Sequence, residues 1–300
     1  MCGIVGIYIK NQNLKTKLGS YLEPMLVELT DRGPDSAGVA LYRNSTDAGW
    51  VKITLYTVAE NYDWSELGKS IETEFDVQVS LEVRHNHCVI LTNAVSTTLI
   101  FWLKQNFNEI RVVSTGSSIE IYKGIGSPRE IINAFGIHDF DGSHALGHTR
   151  MATESAITVE HSHPFSTGDD LCLVHNGSMS NHNRMRQWLR RHTDIEFETD
   201  NDTEVAAGYF TYRLSEGASL KEALEAGLKD LDGFYTFAIG TKRGFAVMRD
   251  PIAAKPAVLA ETDDWVAIAS EFRSIATLPG ASNANIWEPA PATMYTWGDS

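Results

Sequence analysis

A chain of 300 residues, 43% hydrophobic and 21% charged, has the make-up of an ordinary globular protein with enough apolar material for a sizeable core. Its 25 Lys+Arg against 39 Asp+Glu leave a formal net charge of -14. Such a surface repels phosphate backbones and anionic lipid, so neither nucleic acid nor a membrane is expected as a partner. Three cysteines, Cys2, Cys88 and Cys172, form no CxxC pair, which fits a reducing cytoplasm and excludes a local zinc knuckle or redox dithiol. The start, Met1 to Ile7, lacks the basic region of a secretion signal. The uncharged run Cys88–Leu103 falls short of the ~20 apolar residues a membrane helix needs.

In chain order, Ile4–Ile9 is a short β-branched run and predicts a strand. Leu18, Leu22, Met25, Leu26 and Leu29 recur at helical spacing, and Pro34 in Arg32-Gly33-Pro34-Asp35-Ser36 bars continuation. Val39–Tyr42 predicts a second strand. Between about 50 and 140 the texture changes. Val77, Val79, Leu81 and Val83 alternate, Cys88–Thr92 is strand-like, Thr98–Phe107 suits a helix, and Ile119 and Ile121 alternate again. A strand–helix–strand insertion is the simplest reading of that section.

Leu171–Val174 reads as a strand. Met185, Trp188, Leu189 and His192 form a helical face, with Arg184, Arg186, Arg190 and Arg191 mostly on the opposite, solvated side. Another helix starts near Asp202-Thr203-Glu204. Ser219-Leu220-Lys221-Glu222 is a capping box, and the amphipathic helix it opens runs to Leu231 and stops at Gly233. Two hairpins follow, Tyr235–Ile239 with Phe245–Val247, and Ala257–Leu259 with Val266–Ala269. Hairpin-joined strands with separate helices favour antiparallel sheets over a doubly wound parallel one. Neither GxGxxG nor GxxxxGK[ST] occurs, so no nucleotide cradle is indicated.

Cys2 stands directly after Met1. Loss of the initiator would place a thiol and a free α-amine on one residue, and an amine titrating near ~7.7–8.0 can take the thiol proton. Alone, this position says little. It is followed by Arg32-Gly33-Pro34-Asp35-Ser36-Ala37-Gly38, Gly147-His148-Thr149-Arg150-Met151-Ala152-Thr153, His175-Asn176-Gly177 and Thr199-Asp200-Asn201-Asp202-Thr203-Glu204. Arg249-Asp250-Pro251 and Ser270-Glu271 extend the series. In this order the motifs resemble the class II glutamine amidotransferases, whose glutaminase domain is an N-terminal nucleophile hydrolase. The resemblance covers residue 2 to about residue 275. It implies an α+β fold, a four-layer αββα sandwich of two antiparallel sheets, as one domain over 1–300 with an inserted α/β segment at about 50–140.

The resemblance also implies roles. Cys2 attacks the side-chain amide of L-glutamine, a poor electrophile that needs a thiolate and a stabilised oxyanion. Asn176, through its side chain, and Gly177, through its backbone N–H, face that oxyanion. Arg150 holds the substrate carboxylate, Asp202 its ammonium, and Thr153 matches a position near the substrate. Arg32 supports the loop beside the nucleophile. Met151 and Glu154 depart from the common pattern, which leaves strict preference for glutamine open.

Other readings carry less. His161 and His163 on a strand, or His144 and His148 at helical spacing, suggest a metallohydrolase, but no HExxH occurs and no metal is expected. The arginine-rich helix at 184–191 suggests nucleic acid, against the acidic whole. A free-standing amidase acting on another amide, and a non-catalytic regulatory subunit, remain as alternatives. The recognisable domain fills almost the entire chain, so the expected partner is a separate synthase subunit. The wording of the motifs resembles the small subunits of glutamate synthase-like systems, N-methylglutamate synthase among them. In those systems FMN and an iron–sulfur cluster belong to partner subunits, and no cofactor is expected in this chain.

Overall fold

The computed structural model describes residues 2–151 and 157–298. The chain opens with β1 (Gly3–Ile9), α1 (Leu18–Val27), β2 (Ser36–Tyr42) and β3 (Val51–Thr57). It continues through α2 (Trp64–Phe75), β4 (Val79–Arg84), β5 (His87–Thr92), α3 (Ser96–Asn106) and β6 (Ile110–Gly116). Next come β7 (Ile119–Ile125), α4 (Pro128–Phe135), β8 (His144–Arg150), β9 (Phe165–Gly168) and β10 (Leu171–Met179). Three helices follow, α5 (His182–His192), α6 (Asp202–Ser215) and α7 (Leu220–Asp230). The chain ends with β11 (Gly233–Thr241), β12 (Gly244–Arg249), β13 (Val258–Glu261), β14 (Trp265–Ala269), α8 (Phe272–Ile275), β15 (Asn285–Trp287) and β16 (Met294–Gly298).

Two antiparallel sheets lie face to face, one in the order β15-β13-β14-β1-β8-β2-β7 and the other β16-β12-β11-β10-β9. Alternation along each strand decides what fills the space between them. Ile4, Ala40, Leu146, Ile268, Cys172, Val174, Ala238, Phe245 and Val247 meet there. On the outer face of the first sheet, Val5, Ile7 and Val39 pack under Leu22, Met25 and Leu26 of α1 and Ile132 and Phe135 of α4. On the outer face of the second, Leu173, Phe237 and Met248 pack under Leu189 of α5, Phe210 of α6 and Leu224 of α7. The result is the four-layer αββα sandwich. Among the described residues no helix is long and apolar enough to cross a membrane.

A third antiparallel sheet, β4-β5-β3-β6, has its own core of Ile53, Leu55, Trp64, Leu67, Ile71 and Leu99 under α2 and α3. The expected strand–helix–strand is thus doubled: β3, α2 and β6 were not foreseen. β7 already pairs with β2 in the first sheet. At the return from β6 to β7, the Asp170 carboxylate accepts from Ser117 N, Ser117 Oγ, Ser118 N, Ser118 Oγ and Ile119 N, all at 2.8–3.0 Å. This fastens the third sheet to the β9–β10 turn.

Four sequence readings are corrected. His144 and His148 lie on β8, not on a helix, while His161–His163 occupies a turn between β8 and β9 rather than a strand. Gly233 opens β11, α7 having ended at Asp230. Arg186 is not on the solvated face of α5 but buried. The capping box is present in both halves, with Ser219 as N-cap of α7.

Candidate active site

Register places the expected site residues in two facing rows. Ile4 points between the sheets, so Cys2, two residues earlier, faces the same space. Gly3 pairs with Thr149, and one step further Cys2 lies beside Arg150, which pairs with Ser36 of β2. Across the gap, Asn176 of β10 pairs with Thr236 of β11, and Thr236 with Arg249 of β12. All three share the inter-sheet face with Val174, Ala238 and Val247.

Cys2 is half-buried and held by its backbone. Arg32 Nε and Asn176 Nδ2 both donate to its carbonyl, at 3.1 and 3.2 Å. Arg32 Nη1 pairs with Glu271 at 2.6 Å, and Arg273 Nε closes on the other carboxylate oxygen at 2.7 Å. The hydrogen bond from Arg32 holds the Glu271 carboxyl below its ordinary range. Ser270 Oγ accepts Ile4 N at 3.0 Å, and Ser270 N donates to Ile4 O at 2.9 Å. The start of β1 is therefore clamped from β10, from the loop after α1 and from the end of β14.

Two glycines make the approach possible. A Cβ on Gly33 would lie 2.4 Å from Arg150 N, so no side chain fits where the loop crosses β8. Gly177 sits at φ 141, and its Cβ would fall 2.0 Å from Phe234 O. Asn176 can thus face inward while the following N–H turns with the strand end.

Asp202 is the first residue of α6, and Asn201, not Asp202, caps the helix by accepting Thr203 N at 2.8 Å. Asp202 Oδ2 accepts Met179 N at 2.8 Å, and Oδ1 lies 3.5 Å from His175 Nδ1. Burial pushes this carboxyl up, but His175 and the Met179 N–H outweigh it and hold it well below the usual carboxylate range. The Asp200–Asp202 segment is steadied from α5, where Arg186 Nη1 donates to Thr199 O and Nη2 to Asn201 O, the latter at 3.0 Å.

Of the expected residues, the fold brings Cys2, Arg32, Arg150, Asn176, Gly177 and Asp202 to one end of the sandwich. Thr153 and Glu154 lie outside the described residues. Met151, next to Arg150, is 37% exposed. Several residues were not foreseen: Arg186, Thr203, and the buried hydroxyls of Ser36 and Thr236, which find no hydrogen-bond partner among the described residues. The histidines form no metal site: among the described residues no cluster of three or more His, Cys, Asp or Glu is arranged to hold an ion. Burial drives the His148 imidazole down to about 3, so that ring is neutral. A cleft of about 880 Å³ opens away from Cys2, between the third sheet and α6, with Tyr56, Phe101, Lys123 and Glu204 on its walls.

A double antiparallel sheet between helical layers, with a cysteine at the head of its central strand, is the architecture of the N-terminal nucleophile hydrolase fold. The fold is similar to that of the glutamine phosphoribosylpyrophosphate amidotransferase from B. subtilis, with a TM-score of 0.63 at 20% identity, over 99% of this chain and 47% of that one. Residues 148–277 match the family described as a glutamine amidotransferase domain. The chain is 48% identical over 298 residues to the glutamine amidotransferase-like protein GlxB of Rhizobium meliloti, covering 99% of this chain and 98% of that protein. It is 32% identical to a putative glutamine amidotransferase of Methanothermobacter thermautotrophicus, over 98% of this chain and 99% of that protein. The chain belongs to the class II glutamine amidotransferases, a family of enzymes whose glutaminase domains need no cofactor.

Proposed function

We propose that this chain is a glutaminase subunit that hydrolyses L-glutamine to glutamate and ammonia and supplies the ammonia to a partner synthase. The observation that carries this reading is the seat of Cys2. Its carbonyl is gripped by Arg32 and Asn176 within 3.2 Å, so the Asn176 amide, which has a second hydrogen, is within reach of the reacting atoms. In the proposed reaction, which requires removal of Met1, the Cys2 α-amine takes the thiol proton and Sγ attacks the glutamine amide carbon. Asn176 Nδ2 and Gly177 N donate to the oxyanion. Collapse returns the proton to the leaving nitrogen, releases ammonia and leaves a thioester on Cys2. Water, deprotonated by the same amine, then cleaves the thioester to glutamate and restores the thiol. Arg150 takes the substrate carboxylate and Asp202 its ammonium, with Thr153 nearby.

A synthase partner is supported by chemistry and by surface. Ammonia released to neutral water is protonated and loses its nucleophilicity. Phe234 at the start of β11, Ile252 after β12 and Phe272 after β14 are exposed at the strand ends on the Cys2 side. The motif wording supports a glutamate synthase-like or N-methylglutamate synthase system, with FMN and an iron–sulfur cluster in the partner. Three cysteines without a disulfide support a cytoplasmic setting. The test is intact mass after treatment with an electrophilic glutamine analogue. One adduct mapped to Cys2, and no hydrolysis by a folded Cys2→Ala variant, is the expected result. Hydrolysis retained by Cys2→Ala overturns the mechanism.

A further inference from the structure

Thr203, on the first turn of α6, has no exposed surface, and its hydroxyl is the centre of a closed polar group. It lies 2.7 Å from His163 Nε2, 3.0 Å from His175 Nδ1 and 3.4 Å from Asp202 Oδ1. A hydroxyl has one proton and two lone pairs. An ionised Asp202 can only accept, so the hydroxyl proton goes there and both rings must supply N–H to the oxygen. That assignment leaves every member satisfied at this point. It also fixes the tautomers, with the proton on Nε2 of His163 and on Nδ1 of His175.

The rings cannot turn away. His163 stacks on His148 with centroids 3.9 Å apart, and His148 Nε2 is 3.1 Å from the His175 carbonyl. His175 packs edge-on against Phe237 at 4.9 Å. Burial holds His163 well below its ordinary value and His148 near 3, so both are neutral around neutral pH. Asp202 is thereby fixed at both oxygens, Oδ2 by Met179 N and Oδ1 by Thr203 and His175.

We infer that Thr203 is a positioning residue that sets the Asp202 carboxylate in one orientation and so makes the site select amides that carry a free α-ammonium. This rests on the reading of Asp202 as the ammonium-binding group. A carboxylate free to rotate would meet the ammonium only after losing rotamer freedom and two hydrogen bonds. A carboxylate already fixed meets it with lone pairs preset. Selection against amides without the charge follows, because they bring no counter-charge to that fixed carboxylate.

The test uses the full chain with its partner where one is found. Thr203→Val keeps the shape and removes the hydroxyl, and Thr203→Ser keeps the hydroxyl. Thr203→Val is expected to raise KM for L-glutamine by about tenfold or more while kcat changes little. Its Cys2 should react with iodoacetamide, which has no ammonium, at the wild-type rate, and Thr203→Ser should restore KM to within a few fold. Equal loss with Thr203→Val and Thr203→Ser, or a fall in kcat with KM unchanged, overturns the inference. Asp202→Asn separates the two levels. If it leaves KM unchanged, the ammonium assignment itself fails. If it raises KM and folded Thr203→Val does not, the positioning role alone fails. Should Thr203→Val not fold, His163→Leu, which removes one donor to the hydroxyl, must raise KM in the same way, and an unchanged KM refutes the role.

Discussion

Arg186→Met isolates the contribution of α5 to the site. The arginine stem is buried beside Leu189, and its guanidinium lies over Phe197 with Cζ 5.4 Å from the ring centroid. Its two terminal nitrogens donate to the carbonyls of Thr199 and Asn201, either side of Asp200 and one residue short of Asp202. Methionine keeps most of the stem volume and removes both charge-assisted bonds. At ~1.5–3 kcal/mol each, and with water able to reach part of the loop, the loss should be about 3 kcal/mol. The segment keeps a second anchor, since Glu204 accepts Glu198 N at 2.8 Å and Thr199 N and Oγ1 at 2.9 and 2.7 Å. The fold should therefore survive, with the loss shared between a lower urea midpoint and a higher KM for glutamine. Arg186→Lys should recover about half, because an ammonium lacks the two-pronged geometry. Arg184→Met, on the exposed side of the same helix, is the control and should fall within ~0.5 kcal/mol of wild type. If Arg186→Met behaves like Arg184→Met in both assays, the loop-clamp reasoning is refuted.

Arg150→Ala should weaken glutamine binding by a charge-assisted pair, ~1.5–3 kcal/mol or roughly tenfold or more in KM, and an unchanged KM would remove the carboxylate assignment. Asp170→Asn should cost about 2–3 kcal/mol, because an amide nitrogen must then face Ser117 N and one acceptor oxygen is lost. Burial raises the Asp170 carboxyl, but the Ser117 and Ser118 donors outweigh this and hold it below 3.8. Its contribution is therefore complete above pH ~3.8 and lost as pH falls through the lower folded value. The stability gap between wild type and Asp170→Asn should close in that acid range, and a gap independent of pH there would exclude an ionised Asp170.

What the sequence disclosed followed from local pattern. β1 read from a short β-branched run, the first half of β10 from Leu171–Val174 and the two hairpins from apolar stretches flanking polar turns, and Ser219 announced α7 through chemistry confined to four residues. α2 escaped because Trp64, Leu67 and Ile71 are the large apolar side chains of its buried face in a stretch otherwise rich in Glu and Ser. β3 escaped for another reason: Thr54 is fully buried, its hydroxyl accepting from Ser114 Oγ at 3.0 Å, so polar residues blur its two faces. His144 and His148 show a limit of spacing arguments. Four residues is nearly one helical turn, yet it is also an even number and so puts both rings on one face of a strand. Both reach the second sheet, His144 to Thr241 O at 3.0 Å and His148 to His175 O at 3.1 Å. Arg186 could not be told from its arginine neighbours because the groups that draw it inward are the backbone carbonyls of Thr199 and Asn201, which side-chain pattern does not reveal.

The seating of Cys2 depends on register more than on any polar contact. A slip of one residue in β1 would turn Cys2 from the row shared with Arg150 and Ser36 to the face under α1, out of reach of Asn176. What resists the slip lies one step inward. Ile4, Leu146, Val174, Ala238 and Val247 are 0% exposed between the sheets, while Val5 and Ile7 fill the opposite face under α1. Exchanging these faces would bring a larger β1 side chain to the place of Gly6, where even a Cβ would lie 2.9 Å from Ile268, Leu146 and Phe245. The apolar rows therefore fix the register, and Arg32, Asn176 and Ser270 only refine the end of a strand already in place. Polar residues at that end are then released from a stabilising role, which lets Ser36 and Thr236 keep buried hydroxyls that find no hydrogen-bond partner among the described residues.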